Sequence, residues 1–176
     1  MKQIGLIGLW LLLISSVVWA KDPTSMQIFY TMKKVLPGYS EVAVFISKEL
    51  FTANEKSIQR GAMAAQLKPT VYMIENPVDI GENMKKLSDN SLLLLYNTDV
   101  IQTNSSKLYI LKNTKQKNIA ITTLSSDYSA SGAFLYLAVN DEGKLDIVIN
   151  LKVSENLADK ITPELQQELG IKEIIR

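Results

Sequence analysis

GAFLYLAVNDEGKLDIVINLKVSENLADKITPELQQEL, residues 132–169, is the stretch that most constrains the fold. Apolar and polar residues alternate on both sides of the turn Asn140–Gly143, which is typical of a β-hairpin. The pattern predicts hairpin strands at about 133–139 and 144–150. A short helix is predicted over 152–160. The Thr162-Pro163 pair caps a last helix that should end near Gly170.

Upstream of the hairpin, apolar strand-like runs alternate with amphipathic helical segments. Such alternation predicts right-handed βαβ crossovers and a sheet covered on both faces. The fold class is therefore α/β, a single three-layer domain with a mainly parallel sheet, to which the hairpin adds an antiparallel pair at one edge. The predicted strands are 41–46, 70–74, 92–96 and 119–124, and the predicted helices open with a capping box at Thr52–Glu55, span 77–86, and span 105–115 with Leu108 and Leu111 facing inward.

The first twenty residues have the features of a secretory signal peptide. Lys2 precedes an apolar run over residues 4–14, and Val18-Trp19-Ala20 places small residues at the positions that a signal peptidase prefers. We expect cleavage after Ala20, export through the inner membrane to the periplasm, and one α/β domain over residues 21–176. An uncleaved membrane anchor is the alternative.

Composition limits the chemistry that this chain can perform. It contains no cysteine and no histidine, so disulfides and the usual zinc, haem and copper ligands are absent, and Ser-His or Cys-His nucleophile pairs cannot form. The formal net charge of +1 gives no basis for nucleic-acid binding. We therefore expect a protein that is not an enzyme, with no cofactor and no metal. Asp99 and Asp127 could still form a catalytic acid/base pair, although carboxylates at such positions also cap helices.

Two family resemblances narrow the function. The run LDIVINLKVSENLADKITPELQQELG from Leu145 resembles the end of the tryptophan/tyrosine-type ABC transporter solute-binding proteins, and the segments from Val35 onward match one lobe of them. Only one lobe is present, and a bare turn at Asn140–Gly143 replaces a helix of that family. This shorter layout resembles the YfiR-type periplasmic proteins, which repress membrane-bound diguanylate cyclases. Leu36-Pro37 stands where that family usually has aromatic-Pro, and its cysteines are missing, so redox control by disulfides is not implied.

The two resemblances imply different partners. The YfiR-type resemblance implies a non-enzymatic regulator of an inner-membrane sensor or diguanylate cyclase. The other implies a single-lobe solute-binding component that serves an ABC permease.

A candidate ligand site follows from the fold class, because open α/β sheets bind ligands outside the carboxyl ends of their strands. Polar residues that could hold a small polar or zwitterionic solute follow several strands here, although the same residue types commonly form helix caps. The predicted ligand-binding residues are Ser47, Asn97, Asp99, Ser126 and Tyr128.

A candidate partner surface lies near the N-terminus of the domain. Ile28, Phe29 and Met32 fall at helical spacing and form an apolar stripe. This stripe could bind the membrane partner, together with the edge formed by the hairpin, or it could cover the protein's own sheet. A homodimer is also compatible with the sequence.

Overall fold

The computed structural model describes residues 22–176, with the side chains of 155 and 156 excepted. The predicted signal peptide and its cleavage after Ala20 lie outside the described residues. Within the described part, no helix has the length and apolar character needed to cross a membrane.

The described chain folds into one seven-stranded sheet with helices on both faces, in the strand order β2-β1-β3-β4-β5-β6-β7. Two 3₁₀ helices, Leu151–Val153 and Glu155–Lys160, follow the hairpin. The strands are β1 (Glu41–Ile46), β2 (Lys68–Met73), β3 (Leu92–Leu95), β4 (Ala120–Thr123), β5 (Leu135–Val139), β6 (Leu145–Asn150) and β7 (Glu173–Ile175). The helices are α1 (Ser25–Val35), α2 (Lys48–Ala64), α3 (Pro77–Lys86), α4 (Asp99–Gln102), α5 (Asn104–Gln116), α6 (Ser126–Ser131) and α7 (Pro163–Leu169).

The strand directions confirm the predicted fold class. Strands β2, β1, β3, β4 and β5 pair in parallel, and β5 and β6 form the antiparallel hairpin, with Leu135 opposite Ile149. The hairpin is not the edge of the sheet, however. Strand β7, which the sequence did not predict, pairs in parallel with β6 from Val148 opposite Glu173. Strand β7 therefore covers the C-terminal half of β6, and that half of the predicted hairpin edge is not free to bind a partner.

Local capping signals account for the helix starts, with one correction. The helix predicted at 77–86 is confirmed: Asn76 and Asp79 form a reciprocal capping box, and Pro77 occupies the first turn. The capping box predicted at Thr52–Glu55 does not exist. Helix α2 begins directly after β1, because the Leu50 N–H donates to Ser47 Oγ at 3.3 Å. Thr52 then lies inside the helix.

The core has two parts, one on each face of the sheet. Alternate residues of β1 enter different parts: Val42, Val44 and Ile46 face α1 and α2, while Ala43 and Phe45 face α3 and α5. Strands covered on both faces explain why β1 and β3 are almost entirely apolar.

Helix α1 belongs to this core. The side chains of Ile28, Phe29 and Met32 are completely buried against the sheet and α2. The prediction that these three residues bind a partner is therefore wrong, and the alternative, that the stripe covers the protein's own sheet, is correct. The physical reason is the apolar surface of the sheet: without α1, apolar side chains of β1 and β3 on the α2 face would be exposed to water.

Helix α5 is rotated relative to its prediction. Its buried positions are Ser106, Ile110 and Thr114, spaced four residues apart, and Leu111 is only half-buried. Leu108, predicted to face inward, is 68% exposed. Because Leu108 lies two residues from both Ser106 and Ile110, it must point to the opposite side of the helix.

Candidate functional site

The topology creates a crevice at the carboxyl ends of β1 and β3. After β1 the chain enters α2, which packs on one face of the sheet, and after β3 it enters α4 and α5 on the other face. The chain therefore leaves the neighbouring strands β1 and β3 toward opposite faces of the sheet. The gap between these two connections is the topological switch point, where open α/β sheets bind ligands.

A pocket of about 270 Å³ occupies this crevice, and we call it the switch-point pocket. Three elements wall it: the start of α1, one side of α2, and the end of β3. The lining residues are Asp22, Pro23, Thr24, Ser25, Leu50, Asn54, Ser57, Tyr96 and Asn97.

Tyr96 is the chemically distinctive residue of the switch-point pocket. Its side chain is almost wholly buried, with 8% of the residue exposed, and its hydroxyl has no hydrogen-bond partner among the described residues. Burial raises the pKa of this hydroxyl; the nearby Ser25 hydroxyl offsets part of that shift, and the Asp22 carboxylate adds to it. A buried polar group without a partner costs about 1–3 kcal/mol of folding free energy. The neutral hydroxyl therefore keeps an unused donor and acceptor, which the surrounding protein covers.

The two asparagines of the pocket have different roles. Asn54 Nδ2 donates to the Leu50 carbonyl at 2.9 Å within α2, which fixes the amide and leaves Oδ1 available as an acceptor. Asn97 connects the pocket to the next loop: its Nδ2 donates to the Leu124 carbonyl at 3.2 Å, and its Oδ1 accepts from Gln102 Nε2 at 2.6 Å. Hydrogen bonds thus fix the Asn97 side chain at the side of the pocket. The Asn54 side chain is also fixed, and its Oδ1 can accept a hydrogen bond from a ligand.

The close packing of α1 on α2 brings the first residues of α1 to the pocket. A Cβ atom at Gly61 would lie 2.8 Å from the backbone carbon and oxygen of Ser25, a separation too short for any side chain. Glycine at this position of α2 therefore permits the approach that sets Ser25 beside Tyr96. A capping box between Thr24 and Gln27 then fixes the first turn of α1.

The structure does not gather the five predicted ligand-binding residues at one site. Asn97 lines the switch-point pocket, whereas the other four do not. Ser47 serves as the N-cap of α2, and Asp99 and Ser126 are exposed in the first turns of α4 and α6.

Tyr128 requires a correction. It is completely buried, and its hydroxyl donates to the Ile101 carbonyl at 2.8 Å. Burial raises the pKa of this hydroxyl well above its usual range. Because the ring and the hydroxyl are both engaged by the protein, the prediction that Tyr128 binds a ligand is wrong.

Asp99 and Asp127, the residues of the alternative acid/base pair, have structural roles that explain their positions. The Asp127 carboxylate lies 3.8 Å from Lys107 Nζ, and Asp99 lies at the start of α4, where a carboxylate stabilises the helix N-terminus. Residues 22–176 contain no group of three or more Asp or Glu side chains that could hold a metal ion.

Comparisons with known proteins identify the fold. No protein-family model matches the chain, and no curated protein matches it. A crystal structure of a conserved domain protein from Vibrio cholerae O1 biovar eltor is similar, with a TM-score of 0.70 and 14% identity over 88% of this chain. The ABC domain in complex with L-Trp from Streptococcus pneumonia has a TM-score of 0.68 and 13% identity, also over 88% of this chain. The match covers 61% and 62% of those two chains, respectively. The fold is similar to one lobe of a periplasmic binding protein.

Proposed function

We propose that this chain is a non-enzymatic periplasmic binding protein that takes a small polar solute into the switch-point pocket and regulates an inner-membrane signalling protein. The observation that carries the proposal is the pocket at the switch point of a binding-protein-like lobe, one of whose lining residues, Tyr96, has a buried hydroxyl that lacks a partner among the described residues. A ligand that bonds to this hydroxyl would recover the cost of burying it.

The lining of the pocket favours particular solutes. Among the described lining residues, Asp22 is the one charged side chain, and the remaining polar groups are hydroxyls and amides. A carboxylate repels anions, and the described part of the lining contains no lysine or arginine that would compensate for it. The solute should therefore be neutral, positively charged, or a zwitterion whose positive group lies beside Asp22.

Regulation is proposed ahead of transport because the described residues form one lobe. One lobe buries one side of a ligand and leaves the other side open to a partner protein. The resemblance to YfiR-type proteins and the predicted signal peptide support an inner-membrane sensor or diguanylate cyclase as that partner.

A single-lobe component of an ABC importer, acting with a permease, is the second candidate, favoured by the similarity to the L-Trp-bound ABC domain. The non-enzymatic part of the proposal rests on composition, since a chain without histidine and cysteine lacks the commonest acid/base and nucleophilic groups.

Calorimetry with purified protein tests solute binding. The probes are L-tryptophan, L-lysine, putrescine, glycerol and acetate, which differ in charge. We expect at least one neutral, cationic or zwitterionic probe to bind and acetate not to bind. Tyr96→Phe should weaken that binding about tenfold, the effect of losing one hydrogen bond. Tyr109→Phe is the matched control, because Tyr109 lies half-exposed on α5 and outside the pocket. Equal affinity in the Tyr96→Phe protein would reject the pocket.

Crosslinking in intact cells, followed by affinity purification of this chain from the membrane fraction, tests the partner. Recovery of a sensor or diguanylate cyclase supports regulation, and recovery of a permease with its ATPase supports the importer. Asp22→Lys should alter the response of the recovered complex to solute without unfolding the chain, since Asp22 is exposed at the pocket rim.

A further inference from the structure

A second pocket lies at the opposite edge of the sheet, where β4 and β5 begin. Its volume is about 250 Å³, and it sits between the C-terminal half of α5, the turn after α6 and the first 3₁₀ helix. We call it the lysine pocket, after Lys115 and Lys152 in its lining. No residue is shared with the lining of the switch-point pocket.

The floor of the lysine pocket is apolar. Ile119 and Ile121 contribute to it from the α5 face of the sheet, and both are buried; Phe134 also borders the pocket, but its side chain packs in the other part of the core. Leu111 and Val153 extend the apolar surface toward the rim. Such a floor favours a ligand with a hydrocarbon body, since burying a strongly hydrated ion there would cost desolvation energy without replacing its hydrogen bonds.

The rim carries positive charge. Lys115 and Lys152 are exposed, and neither forms an ion pair with a described side chain. No aspartate or glutamate is among the lining residues that the structure describes. The amide and hydroxyl groups there are largely occupied: Asn118 Nδ2 donates to Asn90 Oδ1 at 2.6 Å, and Ser131 Oγ donates to the Asp127 carbonyl at 2.6 Å. The two ammonium groups are therefore the polar groups best able to bind a ligand.

We propose that the lysine pocket binds a hydrophobic monocarboxylate, with its carboxylate between Lys115 and Lys152 and its hydrocarbon chain or ring on the apolar lining formed by Leu111, Ile119, Ile121 and Val153. A competing explanation is that Lys115 only stabilises the C-terminal end of α5, where a cation is favourable. That explanation assigns no role to Lys152 or to the floor, and it predicts no ligand.

The probe is octanoate, titrated into the full mature chain by calorimetry beside octan-1-ol, octylammonium and butanoate. Octanoate should bind most tightly, because it alone among these probes combines the long apolar chain with a negative charge. Lys115→Gln and Lys152→Gln should each weaken octanoate binding about twofold to fivefold, the range of an exposed ion pair. Lys112→Gln is the matched control, since Lys112 is an exposed lysine of the same helix outside the lining. These surface substitutions leave the core intact, so loss of folding will not obscure the result.

Three outcomes would overturn the proposal: octan-1-ol binding as tightly as octanoate, unchanged octanoate affinity in both lysine variants, or inorganic phosphate displacing octanoate. Amide chemical shifts that move near Asp22 and Asn54, instead of Ile119 and Phe134, would also do so. Tyr96→Phe should leave octanoate binding unchanged, which separates this site from the proposed function: failure at one pocket does not imply failure at the other.

Discussion

Two polar regions lie at the carboxyl edge of the sheet, and each contains a buried tyrosine. In the first, which we call the Tyr128 cluster (Gln102, Ser125 and Tyr128), the protein supplies the partners: Tyr128 donates to the Ile101 carbonyl, and Ser125 Oγ donates to Gln102 Oε1 at 2.9 Å. In the switch-point pocket, the Tyr96 hydroxyl lacks any such partner among the described residues. The difference teaches that hydroxyls and amides at this edge indicate a ligand site only where the fold leaves them unpaired.

The substitution with the largest expected effect lies in α1, the helix whose first residues line the switch-point pocket. Phe29 is completely buried on α1, so Phe29→Asp would place a carboxylate in the core. We expect the free energy of unfolding to fall by about 3 kcal/mol or more. Urea unfolding followed by circular dichroism measures it, with Tyr30→Asp as the control, because Tyr30 is the half-exposed neighbour on the same helix. A Phe29→Asp protein of normal stability would restore the partner-surface interpretation of this stripe.

Tyr128→Phe tests the paired tyrosine. The substitution keeps the ring but removes the donor to the Ile101 carbonyl, which is then left without this partner in a buried setting. We expect a loss of about 1–2 kcal/mol in the free energy of unfolding. The same urea unfolding experiment measures the loss. If stability is unchanged, the Tyr128 cluster is not held by its internal hydrogen bonds, and the contrast with Tyr96 disappears.

The elements that the sequence predicts correctly are those whose signals lie close together along the chain. The helix at Pro77–Lys86 was predicted because cap, proline and apolar face all lie within a dozen residues, and the hairpin because its turn separates two alternating strands. Strand β7 has only three residues and exists through its pairing with β6, so no local pattern indicates it. The stripe on α1 predicted a helix but not its neighbour, since an apolar face looks the same whether it covers a sheet or a partner.

The site was harder to predict than the fold. The fold class predicts the crevice, and Asn97 lines the pocket there, while its binding of a ligand stays a prediction. Tyr96 was missed because it ends an apolar run and was assigned to the strand; a tyrosine at the carboxyl end of a central strand is the signal that could have found it. Ser25, Asn54 and Ser57 come together only because α1 packs on α2. This packing depends on the close contact between Gly61 and the Ser25 backbone, and no local sequence pattern predicts it.

Alkaline pH should lower the stability of the folded protein through both Tyr96 and Tyr128. Burial raises the pKa of each hydroxyl above the ordinary value of 10.0, so above that pH the unfolded chain loses these protons before the folded chain does. Stability should therefore be constant up to pH 10 and fall above it, by about 1.4 kcal/mol per pH unit for each fully protected tyrosine. Urea unfolding at pH 8, 9, 10 and 11 measures the slope, which should be shallower in Tyr128→Phe. Stability that rises above pH 10 would contradict the assigned burial.

Tyr96→Phe in the ligand-free protein is the smallest and most discriminating test. Because the Tyr96 hydroxyl is buried without a partner, its removal deletes a desolvated group and breaks no hydrogen bond between described residues. We expect the free energy of unfolding to stay within about 0.5 kcal/mol of the parent or to increase, the opposite sign from Tyr128→Phe. The same substitution should abolish most of the stabilisation that a pocket ligand gives. A loss of more than about 1 kcal/mol without ligand would mean that the hydroxyl already has a partner, such as Ser25 or a bound water, and that the two tyrosines are equivalent.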